Sequence, residues 1–195
     1  MFRELLSRHA EHIPELTQVQ QDQLERHFKL LLKWNAKLNL SAVRTEAEIV
    51  ERHFAESLFL AARMPEGPYS VADLGSGAGF PGVPVAIVRP NCAVTLIESH
   101  QRKAVFLKEV ARDLENVKVV AKRSDAVGGR FNWMVSRAVS ADDIGNFASD
   151  RCALLAGEGL ALQNYSFSDP IKLPWGNQRY LWFGTNVSRE TFAPC

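Results

Sequence analysis

Gly75, Gly77, Gly79 and Gly82 place four glycines within eight residues, directly behind the short apolar run 71–74. Glycines in such a turn let the backbone approach a ligand closely and leave amide groups free to meet it. The spacing fits two chemistries. Gly77, Gly79 and Gly82 match G-x-G-x-x-G, which seats the pyrophosphate of a nicotinamide dinucleotide, while Gly75, Gly77 and Gly79 match the G-x-G-x-G that holds S-adenosylmethionine. Glu98 ends the next apolar run, 23 residues after Gly75. A carboxylate there can accept both hydroxyls of a ribose, and does so equally well for either ligand.

Asp73 separates the two readings. Two residues before the first glycine, its carboxylate would repel a pyrophosphate but suits the amino group and sulfonium of S-adenosylmethionine; a cap on the following turn is the other use for it. Phe80 and Pro81 point the same way, because a bulky ring crowds a pyrophosphate and proline suits the first turn of a helix. The loop Gly75, Ser76, Gly77, Gly79 and Phe80, with Asp73 and Glu98, is therefore expected to bind S-adenosylmethionine. Arg137 follows the fourth apolar run in "VSRAV". A cationic donor at that place holds a phosphate, a carbonyl such as guanine O6 or the cofactor carboxylate, or else pairs with a structural carboxylate. The acceptor-rich Asn/Asp-Pro-Pro-aromatic run used on exocyclic amines is not there.

Other candidates carry less. His9 and His12 are spaced i, i+3 but have no third ligand nearby and read as a solvated face. His53 and Ser57 share a helix face without an acid to complete a hydrolytic triad. Cys92, Cys152 and Cys195 are widely spaced and form neither a disulfide framework nor a zinc knuckle. Pro194 and Cys195 match the nucleophile dipeptide of cytosine-C5 methyltransferases, which at the last two positions reads as coincidence.

The elements that must position these residues alternate. Residues 1–64 read as amphipathic helices, with Leu24, Phe28, Leu31 and Leu38 at helical spacing and no glycine or proline across 45–63. After the turn at 64–70, strands are expected at 71–74, 94–98, 117–121, 133–136 and 160–163, and a helix at 101–114. Strand, helix, strand in repetition means a parallel sheet with crossovers. "YSFSDPIKLPWGNQ" reads as loop, and "RYLWFG" with "TNVSRETF" as a closing antiparallel hairpin. The expected architecture is a Rossmann-like class I S-adenosylmethionine-dependent methyltransferase sheet over 67–195, behind a helical extension over 1–66. In the sheet of such a fold the ligand sits beyond the carboxyl ends of the strands.

With 195 residues, 46% hydrophobic and 23% charged, the chain has the composition of a globular domain with a real core. It shows neither a membrane-length apolar run nor a signal peptide, so a cytoplasmic place, and no membrane partner, is expected. A net charge of +1 argues against a protein that coats nucleic acid nonspecifically, and no DNA partner is expected. Residues 102–137 hold nine Lys or Arg against four acidic residues, which reads equally as a basic patch or a solvated charged face.

Five segments taken together are similar to one family. "KWNAKLNLSAV" (33–43), "RHFAESL" (52–58), "DLGSGAGFPGVPVAIVRP" (73–90), "LIESHQRKAVFLKEV" (96–110) and "VSRAV" (135–139) resemble, in order over about 20–163, the 16S ribosomal RNA guanine-N7 methyltransferases, also called glucose-inhibited division protein B. The resemblance implies methyl transfer from S-adenosylmethionine to a guanine of 16S rRNA in the small ribosomal subunit; a monomer is expected. It also implies cofactor contacts at Gly75, Phe80, Ser124, Asp125 and Arg137, a ribose contact at Glu98, and Asn35, Asn39 and His53 leaning over the pocket. Two departures stand out: Asp125 where the family commonly has Glu, and Gln163–Asn164 where it has Lys-Gly, which removes a charge from the RNA side. A nicotinamide oxidoreductase and a non-catalytic ribosome-binding module that keeps the cofactor are the alternatives. Gly79→Val is expected to abolish cofactor binding while leaving the fold intact.

Overall fold

A computed structural model of the chain describes residues 1–137, 144 and 147–187. Helix α1 (Phe2–Ser7) buries Phe2 and Leu6, and α2 (Gln18–Leu38) buries Leu24, His27, Phe28 and Leu31 at the three- and four-residue steps of one helix face. α2 starts in a reciprocal cap between Thr17 and Gln20 and ends at Asn39, which is left-handed with φ 48°. A second reciprocal cap, between Thr45 and Glu48, starts α3 (Glu46–Ile49), which continues through a π-helical stretch, Val50–Ala55, into α4 (Glu56–Arg63). Regular helical periodicity does not reveal that wider turn, which holds Arg52 and His53.

The sheet contains β1 (Ser70–Leu74), β2 (Ala93–Ile97), β3 (Val117–Val120), β4 (Phe131–Arg137), β5 (Ser149–Ala156), β6 (Tyr165–Phe167), β7 (Ile171–Lys172) and β8 (Tyr180–Asn186). Their order is β3-β2-β1-β4-β5-β8-β6, with β7 also on β8. The first five strands run parallel, and β8 is antiparallel to β5, β6 and β7. Helix α5 (Gly82–Val88) links β1 to β2, and α6 (Gln101–Val110) links β2 to β3, tightening into a 3-10 turn at Ala111–Asp113. The chain thus leaves β1 on one side and returns with β4 on the other. That reversal opens a crevice at the carboxyl ends of β1 and β4.

Two expectations need correction. Residues 160–163 form no strand; the fifth parallel strand is Ser149–Ala156, whose Ala-Leu-Leu-Ala end favours a helix until pairing with β4 and β8 on both sides overrides it. The closing antiparallel element is β8, and its partners are β5, β6 and β7, the last two inside the stretch read as loop. The expected second arm past 187 lies outside the described residues, as do Ala138, Pro194 and Cys195.

Strand alternation divides the core. Val71, Val94, Leu96, Trp133, Val135, Ala153 and Leu155 face a cluster shared with α1, α2, α4, α5 and α6, whereas Ala72, Leu74, Ile97, Met134, Cys152 and Leu154 face the opposite cluster. The helical extension and the sheet therefore share one core across the expected boundary at 66–67. Among the described residues no helix is long and apolar enough to cross a membrane.

Candidate cofactor and substrate site

The loop after β1 is built from left-handed backbone: φ is 65° at Gly75, 54° at Gly77 and 92° at Gly79. Ser76 N donates to Ile97 O at 3.1 Å and Ser76 Oγ to Asp73 O at 3.0 Å, which ties the loop to β2 and β1. Glu98, just past β2 and nearly buried, accepts Gly77 N on Oε2 at 2.9 Å and His100 N on Oε1 at 2.7 Å. Each oxygen keeps a second lone pair, so the carboxylate can shape the loop and still receive a hydroxyl.

Asp73 does not face a ligand. Alternation along β1 turns it to the α5 face, where it is fully buried and Oδ2 accepts Gly82 N at 3.0 Å. Burial lifts its carboxyl to about 7. The cap reading is the one realised, and the amide that opens α5 is thereby not offered to a pyrophosphate. A Cβ on Gly82 would stand 2.5 Å from both Asp73 Oδ2 and Leu96 Cδ2, so only glycine fits there. Gly79 also differs from expectation: a Cβ there would meet Val83 Cγ2 at 2.9 Å and His27 Cε1 at 3.1 Å, inside the protein and not in a cofactor path. At Gly77 the nearest atom is Gly75 O at 3.6 Å, which makes Gly77 the position that opens outward.

Phe80 lies between two imidazoles, with centroids 4.7 Å from His27 and 5.0 Å from His53, both stacked. His27 donates Nε2–H to Ala78 O at 2.7 Å, which clamps α2 to the loop, and burial pushes its pKa down to about 4. Burial, reinforced by Arg137, pushes His53 down to about 3. Arg137, at the end of β4, donates through Nη1 to Arg52 O and to His53 Nδ1. Its strand is locked beside β1 by Ser136 Oγ donating to Leu74 O at 3.0 Å.

These residues line neighbouring pockets that share walls. A pocket of about 480 Å³ is bounded on one side by Gly75–Ala78 and Phe80 and on the other by residues 40–44 of the helical extension, with His53, Arg52 and Arg137 between. A smaller one of about 100 Å³ lies between β1, β2 and β3, lined by Gly75, Ile97, Ser99, Lys122 and Ser124. Gly75 belongs to both. Asp125 does not line either: its side chain is exposed, 3.5 Å from Arg123. Behind Arg52 and Arg137 a third cavity, about 220 Å³, adds Arg179, Tyr180 and Glu56. Glu56 is buried and paired with Arg179; burial raises its carboxyl to about 7 while Arg137, Arg179 and Arg52 pull it down.

Sequence reasoning had Gly75, Ser76, Gly77, Phe80 and Arg137 in one place, and they are together. It gave no role to Ser41, Arg52 and Glu56, although they lie inside the quoted segments 33–43 and 52–58, nor to Arg179, which no motif marks. Ser57 is not a partner of the His53 ring, since its Oγ donates to His53 O at 2.6 Å. Asn39 serves as the α2 cap, and Asn35 Oδ1 accepts Ser41 N at 2.8 Å. His9 and His12 flank Trp175, and among the described residues no group of three or more His, Cys, Asp or Glu could hold a metal.

A parallel sheet with an antiparallel end, a left-handed glycine loop at the switch point, and a carboxylate after β2 that binds that loop define a class I S-adenosylmethionine-dependent methyltransferase. Solved structures agree on the fold: a ribosomal protein L11 methylase from Lactobacillus delbrueckii subsp. bulgaricus (TM-score 0.57, 12% identity, 69% of this chain and 79% of that one) and a SAM dependent methyltransferase from Aquifex aeolicus (TM-score 0.55, 13% identity, 72% and 93%). The model of the family GidB, rRNA small subunit methyltransferase G, matches residues 20–163. The ribosomal RNA small subunit methyltransferase G of Chromobacterium violaceum is 37% identical over 169 residues, covering 83% of this chain and 79% of that protein. The Neisseria gonorrhoeae protein of the same name is 36% identical over 149 residues, covering 75% and 70%. The chain belongs to the rRNA small subunit methyltransferase G family, and the nicotinamide register of its glycines is set aside.

Proposed function

We propose that this protein transfers a methyl group from S-adenosylmethionine to N7 of a guanine in 16S rRNA of the small ribosomal subunit. The observation that carries the reading is the pair of pockets sharing Gly75 within a chain of this family: the smaller lies beyond β2 and β3, on the side for the adenine, and the larger takes the methionine end together with a base. Gly75, Ser76, Gly77 and Phe80 form the cofactor wall, Glu98 takes the ribose, Ser124 and the backbone of Asp125 border the adenine, and Arg137 serves the cofactor carboxylate.

Bound S-adenosylmethionine supplies an electrophilic methyl on a sulfonium. Guanine N7 has an in-plane lone pair that is free at neutral pH, so the chain need not remove a proton from it. Its task is alignment, which by itself lowers a barrier by about 7–11 kcal/mol. No cysteine lines the described pockets: Cys92 and Cys152 are buried elsewhere, and burial raises Cys152 to about 12. Arg44 and Arg52 at the wide pocket suit the phosphates flanking a splayed-out base. The test is tritiated methyl transfer to undermethylated small subunits, followed by borohydride reduction and aniline treatment, which opens RNA at 7-methylguanosine. Incorporation with cleavage at one guanine is expected. Incorporation without cleavage removes the N7 assignment, and cofactor binding without incorporation favours a non-catalytic module.

A further inference from the structure

Arg137, His53 and Ser41 form a chain whose hydrogen-bond directions are fixed. A guanidinium only donates, so His53 Nδ1, against Arg137 Nη1, must accept. The ring is then neutral with its single proton on Nε2, which lies 2.6 Å from Ser41 Oγ and donates to it. The opposite tautomer would aim an imidazole N–H at a guanidinium N–H. Val43 N donates to the same hydroxyl oxygen at 3.1 Å. Both lone pairs of Ser41 Oγ are therefore taken from within the protein, and the hydroxyl proton can only be donated elsewhere. No acceptor for it is present among the described residues, and Ser41 lines the wide pocket. Its backbone is pinned by Asn35, so the donor is preset.

We infer that Ser41 donates its hydroxyl proton to O6 of the target guanine and so selects guanine over adenine. This rests on the guanine-N7 reading above. Ser41 belongs to the wall given by the helical extension, across from Gly75–Ala78 where the cofactor lies, so it meets what enters between them. The guanine edge that carries N7 presents O6 as a second acceptor next to it, whereas adenine presents N6–H₂ there. With N7 left open to the methyl group, O6 is the acceptor for Ser41. An adenine in the same pose would set donor against donor.

The experiment compares wild type, Ser41→Ala and Ser41→Thr on undermethylated small subunits carrying either guanine or 2-aminopurine at the target. 2-Aminopurine keeps N7 and lacks the 6-oxygen. On guanine, Ser41→Ala is expected to lower kcat/KM about three- to tenfold and Ser41→Thr to restore most of it. On 2-aminopurine the three proteins should be equal, and all should bind S-adenosylhomocysteine alike. Equal rates of Ser41→Ala and wild type on guanine would overturn the inference, as would a parallel loss on both substrates. Weakened S-adenosylhomocysteine binding would do so too, by giving the proton to the cofactor carboxylate. A wild type that methylates subunits without strand opening at guanine overturns the N7 reading itself, and this inference with it, before any variant is compared.

Discussion

Asp73 Oδ1 meets no donor and Oδ2 meets only the Gly82 amide and the loop it caps, so the carboxyl is held near 7 by burial. Between about pH 4 and 7 the folded protein keeps a proton that the unfolded chain has released, and this group's contribution to stability falls as pH rises through that window. His27 and His53, depressed to about 4 and about 3, act oppositely: below about 6.5 the unfolded chain takes up protons that the folded imidazoles do not, so stability falls as pH drops. Asp73→Asn keeps an acceptor for Gly82 and removes the carboxyl titration. Its stability relative to wild type should grow with pH by up to about 1.4 kcal/mol per unit until about pH 7, then level off. Unfolding curves of the two proteins from pH 4 to 8 measure this, and parallel profiles would refute it. For Glu98→Ala, which removes the acceptor of Gly77 N and the acceptor proposed for the ribose, titration with S-adenosylhomocysteine should show a loss of about 1.5–3 kcal/mol. An unchanged affinity would take Glu98 out of the site.

α2 and the glycine loop act as one unit, because His27 hydrogen-bonds Ala78 O and stacks on Phe80 while Gly79 closes against the same ring. His27→Ala would leave a void and an orphan carbonyl, and urea unfolding should show a loss of roughly 2–4 kcal/mol together with weaker cofactor binding. A cost below about 0.5 kcal/mol, the scale of a neutral surface change, would mean that α2 does not clamp the loop. Gly79→Val should likewise destabilise the fold, contrary to the sequence-based expectation. Much of the architecture is written in local pattern: β1 to β4 and α6 follow from apolar runs and helical spacing close to their observed bounds. β5 is hidden because Ala and Leu are locally helical and only its neighbours make it a strand. The site divides similarly. Glycines that need positive φ announce themselves, but Ser41, Arg52, Glu56 and Arg179 meet through tertiary packing and a π turn, which leave no periodic trace.

Across the whole molecule positive and negative charge nearly cancel, with a net +1, so affinity for RNA must come from a few placed cations and from shape. Four of the nine cations of the basic stretch 102–137 are partnered within the protein: Arg112 pairs with Glu109, Arg130 with Asp150, Arg123 with Asp125, and Arg137 is turned to His53. The cations at the wide pocket and the cavity behind it are Arg44, Arg52, Arg137 and Arg179, and two of these already hold protein partners. Arg52 is exposed, and its guanidinium makes no hydrogen bond or ion pair with another described residue, while its carbonyl, which Arg137 uses, survives any side-chain change. If each phosphate contact contributes about 0.7–0.9 to the slope of log affinity against log salt, wild-type kcat/KM on small subunits should fall with a slope of only about −2 to −3. Arg52→Gln should lower that slope by about 1 and leave S-adenosylhomocysteine binding unchanged. Short single-stranded oligonucleotides, which lack the folded shape, should be poor substrates at every salt concentration. A wild-type slope steeper than about −6, the mark of many phosphate contacts, or an Arg52→Gln slope equal to wild type, would show that the RNA is held elsewhere on the surface.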